Sequence, residues 1–151
     1  MPNDEGMTKH DDSDWQNKWS WLNSDTPFVR EESDTKPLYD LEERTARFGE
    51  AAIDFAKTTP QNAVTNRIIN QLVGAGTSVG ANYVEADDAV SKKEFLKSIG
   101  TCKKETREVK HFLRMSVRAF PQLKPHAKRL WLEARELHLI FSKIWRSGKN
   151  E

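Results

Sequence analysis

Residues 77–113 read TSVGANYVEADDAVSKKEFLKSIGTCKKETREVKHFL and hold the join between two amphipathic helices. Ser91, Lys92, Lys93 and Glu94 form a capping box, in which the hydroxyl and the carboxylate each satisfy a backbone N–H left free in the first turn. Downstream, Phe95, Ile99, Cys102, Thr106, Val109, Leu113 and Ser116 recur at alternating four and three, the seam of a bundle helix. Upstream, Ile68, Leu72, Gly76, Val79, Tyr83, Ala86 and Val90 make an apolar stripe. A second stripe of small and polar residues lies beside it: Gln71, Ala75, Ser78, Asn82, Glu85 and Ala89. A helix shaped on two sides is expected to be covered on two sides, by a bundle partner and by a neighbouring subunit.

Working outward, Pro37 precedes a segment with Leu41, Phe48, Ala52 and Phe55 on one face. Pro60 closes that segment, and Asn62 is placed to cap the next helix. Pro121 ends the third helix, and Pro125 falls near the start of a fourth, where a missing N–H costs little. The fourth seam is Ala127, Leu130, Ala134, Leu137, Phe141 and Ile144, stopped by Ser147-Gly148. Trp131, His138 and Trp145, seven apart, widen its apolar face and argue for a cover that a small monomer lacks. The spacing predicts helices over 38–58, 62–89, 92–119 and 124–147. Short joins make them an all-α, antiparallel up-down-up-down four-helix bundle spanning 38–148.

Residues 1–37 show no such period and are expected to form a disordered or loosely packed tail. They carry nine acids against four bases, net −5, with Trp15, Trp19, Trp21 and Phe28 among them. Those aromatics suit anchoring in a partner's groove, or packing of the tail on its own bundle. Residues 38–91 carry eight acids and four bases, net −4, and residues 92–146 five acids and fifteen bases, net +10. The overall charge of +1 therefore hides a polarised chain.

Composition narrows the class further. At 151 residues, with 36% hydrophobic content and 31% charged, the chain is one domain plus a tail. No apolar run approaches the roughly 18 residues of a membrane span, so no membrane partner is expected. The N-terminus has neither a basic start nor an apolar run, and no secretory signal is expected. The single Cys102 cannot form an internal disulfide and fits a cytoplasmic location. It falls on the apolar side of its helix, which favours a buried thiol over a nucleophile.

Motifs for chemistry are incomplete. GAGTSVGAN lacks the third glycine of a dinucleotide fingerprint, where Val79 stands, and lacks a Gly-Lys-Ser/Thr; small-residue helix packing accounts for it. Glu108-Val109-Lys110-His111 matches one Glu-x-x-His element of a di-iron bundle, but such a site needs two, plus further carboxylates. Asn82 and Glu85 on one helix, and Glu105 and Glu108 on the next, read as polar groups fixing register across helices. No enzyme, no metal and no cofactor are expected.

Lys93, Lys97, Lys104, Arg107, Arg114 and Arg118 fall within roughly 100° of one another on an ideal helix, with His111 among them. Lys124, Lys128, Arg135 and Arg146 form a similar row on the fourth helix. Two rows almost free of acid suit a phosphate backbone, which releases counterions on contact. No base-reading motif accompanies them, so the expected binding of RNA or DNA is led by shape and charge.

From about Leu38 to Arg146 the chain resembles the four-helix bundle family of the 23S rRNA intervening sequence protein. That family includes the accessory variability protein of diversity-generating retroelements. SVGANYVEA looks like the family's Ser-Ile-x-x-Asn-Ile-x-Glu-Gly, with Ala86 in place of the glycine. SKKEFLKSIG opens the third helix, and KKETREVKHFL follows it. Carried over residue by residue, the matching positions are Ser78, Asn82, Glu85, Lys93, Phe95, Glu105 and Glu108. The resemblance implies a homopentameric ring with a basic surface and, as in the retroelement members, binding to RNA and to a reverse transcriptase.

The expectation is thus a non-enzymatic, oligomeric bundle that binds nucleic acid through its third and fourth helices as an accessory of a nucleoprotein complex. The alternative is a protein-interaction scaffold whose basic face holds an acidic segment, its own tail included.

Overall fold

A computed structural model describes residues 40–149; Trp15, Trp19, Trp21 and Phe28 of the tail lie outside the described residues. Asp40 caps α1, which runs Leu41–Lys57, by accepting the Glu43 N–H at 3.4 Å. The helix therefore starts later than Pro37 suggested, at the residue that can cap it. Thr59 closes the far end, its buried hydroxyl donating to the Phe55 carbonyl at 2.9 Å.

Asn62 caps α2 (Ala63–Asp87) by accepting from Val64 and Thr65, while the Thr65 hydroxyl accepts from the Asn62 N–H. The helix ends at Asp87, so Val90, assigned above to its apolar stripe, lies past the end and is 74% exposed. Ser91 caps α3 (Lys92–Ala119), accepting the Glu94 N–H at 3.1 Å. The Glu94 carboxylate accepts from Val90 rather than from Ser91, so the capping box is only half formed. A 3₁₀ turn over Pro121–Leu123 leads into α4 (Lys124–Lys149).

Gly148 does not stop α4. A Cβ there would lie 2.5 Å from Leu96 Cδ2, so the glycine admits α3 to the last turn and takes no left-handed conformation. Glycine's missing side chain, not its backbone freedom, is what this position uses.

The four helices run antiparallel to their neighbours. Thr45 meets Gly80 while Ala52 meets Gly76, and Leu96 meets Gly148 while Lys103 meets Trp145. Phe48, Phe55, Leu72, Ile99, Leu113, Leu137 and Phe141 fill the core. The α1–α2 crossing is close because Gly49, Gly76 and Gly80 face Thr77, Ala52 and Thr45 across it. The glycine run thus serves helix approach inside the chain.

α1 and α4 share a narrower contact than α1–α2, α2–α3 or α3–α4, and Arg44 closes it. Its Nε donates to Glu133 Oε2 at 2.8 Å, and its Nη2 to Glu133 Oε1 at 3.0 Å and Glu136 Oε1 at 3.1 Å. Burial acts to lower the Arg44 pKa, yet the bonds and charge of Glu133 and Glu136 outweigh it and hold the guanidinium above its ordinary value. Replacing Arg44 with methionine leaves two carboxylates facing each other at a half-buried seam. The expected loss is about 1–3 kcal/mol, read by urea unfolding. Lysine in its place is expected to recover little of this, since a point charge cannot reproduce the two-pronged contact.

Cys102 and Tyr83 are both buried against the α2–α3 seam, the thiol donating to the Val79 carbonyl at 3.5 Å. Burial pushes the Cys102 thiol up from 9.0 to about 12. Burial, with Asp87 nearby, pushes the Tyr83 phenol up as well. Both groups keep their protons longer in the folded state than in the unfolded chain. Their contribution to stability is therefore complete below pH 9 and is lost as pH rises towards about 12. The urea midpoint is expected to be flat from neutral pH to about 8.5 and to fall above it. The Cys102→Ala variant, less stable throughout, is expected to fall less steeply.

Candidate nucleic-acid interface

The seam of α3 turns Phe95, Ile99, Cys102, Val109 and Leu113 inward, which leaves the opposite side of the helix to solvent. Lys93, Lys97, Lys104, Arg107, Arg114 and Arg118 all lie there, exposed. His111 is exposed among them, its ring edge-on to Phe112 at 5.1 Å. On α4, Lys124, Lys128, Arg135 and Arg146 are exposed as well. None of these ten cations forms an ion pair with a described residue.

The acids of the same two helices are placed elsewhere. Glu133 and Glu136 are held by Arg44 on the side of α4 that meets α1. Glu94 accepts from the backbone of Val90. Glu105 and Glu108 lie on the edge of α3 away from α4; by helical angle Glu108 borders the basic row about 20° beyond Lys97, and Glu105 lies about 80° beyond it. Burial, reinforced by the charge of Glu108, lifts Glu105 above the usual carboxylate range, and Lys104 offsets part of this. The cations of α3 and α4 thus face solvent, and none is drawn into an ion pair with a described residue.

Between the two rows lies a strip that sequence reasoning only half found. Lys103 Nζ stands 4.8 Å from the Trp145 ring centroid, and Lys149 Nζ stands 5.1 Å from the same ring. Lys110 Nζ stands 5.1 Å from the Trp131 ring. Such contacts bind a cation to the negative face of the indole. His138 lies between the two tryptophans, and burial, with Lys110, Lys103 and Arg107 nearby, holds its pKa below the ordinary value. The ring therefore stays neutral at pH 7. Ser142, one turn along the same edge, is 6% exposed, and its hydroxyl has no hydrogen-bond partner.

Lys103 and Lys110 belong to neither the seam nor the exposed row and are not among the residues singled out above. Their spacing of seven against the seven of Trp131, His138 and Trp145 was the available signal. The apolar edge of α4 is thus partly covered by lysines of α3 in the same chain, and Trp131, His138 and Trp145 remain half-buried.

The motif residues on α2 do not bridge helices. Asn82 donates from its side-chain amide to the Ser78 carbonyl of its own helix at 2.9 Å. Glu85 is exposed, Ser78 is half-buried, and Phe95 is in the core. The structure does not bring Asn82 and Glu85 together with Glu105 and Glu108 through any hydrogen bond among the described residues. Among those residues no cluster of His, Cys, Asp or Glu has the makings of a metal site. No described helix is long and apolar enough to cross a membrane.

The fold is similar to that of a protein with unknown function from the S23 ribosomal protein family of Bacteroides thetaiotaomicron VPI-5482. The two superpose with a TM-score of 0.62 at 19% identity, over 70% of this chain and 97% of that one. At that identity the likeness establishes the shared bundle. No protein-family model and no curated protein matches the sequence.

Proposed function

We propose that this bundle is a non-enzymatic nucleic-acid-binding protein that docks RNA on the α3–α4 face. The observation that carries the reading is the set of ten exposed cations without ion pairs among the described residues, with Glu133 and Glu136 of α4 held by Arg44 on another side. Solvated charge alone explains one such row; two rows flanking one groove favour a polyanion. With no base-reading element, affinity comes from phosphate contacts. The sequence motifs and the S23-family fold together support a place beside the 23S rRNA intervening sequence proteins. On that reading the chain assembles as a homopentamer in the cytoplasm and serves as an accessory subunit, with a reverse transcriptase among its candidate partners.

The test is light scattering and a binding titration at 50 and 200 mM salt with a structured RNA. A soluble oligomer whose RNA affinity falls by at least tenfold across that range is the expected result. An oligomer with no measurable affinity for any nucleic acid at low salt rejects the reading.

One observation favours a second reading. Residues 1–37 carry net −5 and three tryptophans, complementary to the net +10 of residues 92–146. On this reading the basic face holds an acidic segment. Deleting 1–37 then changes assembly or melting temperature, and an unchanged deletion variant rejects it.

A further inference from the structure

We infer that the α3–α4 groove takes single-stranded nucleic acid, with bases stacking on Trp131 and Trp145. This deepens the proposed function and rests on it. A surface that only tracks phosphates has no use for aromatic faces. Here two indoles lie along the floor between the rows: by helical angle the tryptophan edge of α4 falls between its seam and its basic row, and Lys103 and Lys110 of α3 fall likewise.

Trp131 and Trp145 are fourteen residues apart, about 21 Å along the helix, with the neutral ring of His138 midway. Both indoles are half-buried, so each is fixed by packing and still accessible. The groups over their faces are lysine ammoniums at 4.8–5.1 Å, on flexible stems. A phosphate offers each ammonium a stronger partner than a ring does, and the face it leaves is open to a base. Duplex nucleic acid keeps its bases stacked inside and can use only the flanking rows. Sheltered aromatics in a basic groove are the usual means of holding single strands without regard to sequence.

The experiment compares a twelve-nucleotide uridine strand with a twelve-base-pair RNA duplex, at matched salt, on the full-length protein. The single strand is expected to bind tighter. Trp131→Leu with Trp145→Leu is expected to weaken it roughly tenfold or more and to leave the duplex within about twofold. Phenylalanine at both positions is expected to restore most of the loss. A second measurement does not depend on the leucine variant folding: with Trp15, Trp19 and Trp21 replaced by phenylalanine, the two groove tryptophans are the remaining indoles. Their fluorescence is expected to be quenched by the single strand and not by the duplex.

Equal affinity for both forms, or fluorescence unmoved by a bound single strand, overturns the stacking inference while leaving RNA binding intact. Absence of binding to either form removes both.

Discussion

Replacing Gly76 with valine is expected to lower the stability of the bundle by about 2–3 kcal/mol, the effect of overpacking a tight contact. A Cβ at Gly76 would stand 2.7 Å from the Ala52 Cβ, with Val109 Cγ2 at 3.9 Å beyond it. Ala52 is wholly buried and its methyl has no rotamer to change, so relief requires the α1 and α2 backbones to separate. That separation also loosens the Gly49–Thr77 and Gly80–Thr45 contacts of the same crossing. Helix propensity acts in the opposite direction, since glycine is a poor helix former, but by less than 1 kcal/mol. The comparison that isolates packing is Gly74→Ala. Nothing lies within 4 Å of a Cβ at Gly74, and the substitution is expected to stabilise by about 0.5–1 kcal/mol. Urea midpoints that move in opposite directions with unchanged slopes confirm the account; Gly76→Val at or above the wild-type midpoint rejects it.

The second large effect concerns binding. The triple variant Lys104→Glu, Arg107→Glu, Arg114→Glu is expected to lose at least 100-fold in RNA affinity at 0.1 M salt. The loss combines missing phosphate contacts with new repulsion. Its salt slope is expected to be shallower by about 2, since each contact with a single strand accounts for roughly 0.7. All three side chains are exposed and none is ion-paired, so stability is expected to stay within about 0.5 kcal/mol per site. A control reversal of Lys57 and Arg67, exposed on α1 and α2, is expected to change affinity much less. Equal losses from both sets would mean that total charge, and not the α3–α4 face, governs binding.

The elements of this fold were legible where local chemistry acts alone. Asn62 and Ser91 marked helix starts because an acceptor side chain at that point answers a free N–H, whatever the rest of the chain does. The α3 seam was legible for a similar reason: seven residues at bundle spacing are all buried. Reading failed where two helices decide a residue's role together. Gly148 looked like a stop, yet Leu96 needs the space it leaves. Gly76 was legible as part of the stripe that meets a bundle partner, but Gly80 belonged to neither stripe, and only α1 shows that both glycines face the same helix. Lys103 and Lys110 were invisible as a site until α4 set Trp145 and Trp131 opposite them. Glu133 and Glu136 gave no signal of their own in the sequence; it takes Arg44 of α1 to show that they sit on the side of α4 that meets α1.

The sealed state of Cys102 has a practical consequence. It is the sole cysteine of the chain and is 0% exposed, with its thiolate disfavoured at any ordinary pH. A maleimide or spin label added to the native protein therefore has no competing target. A cysteine placed at Lys97 on α3 or at Leu139 on α4, both exposed, would be labelled alone in the native background. Label-to-label distances between copies would then map how bundles stand against one another, and label-to-strand distances would trace the path of a bound nucleic acid. The unreacted thiol meanwhile serves as a clock for opening of the core.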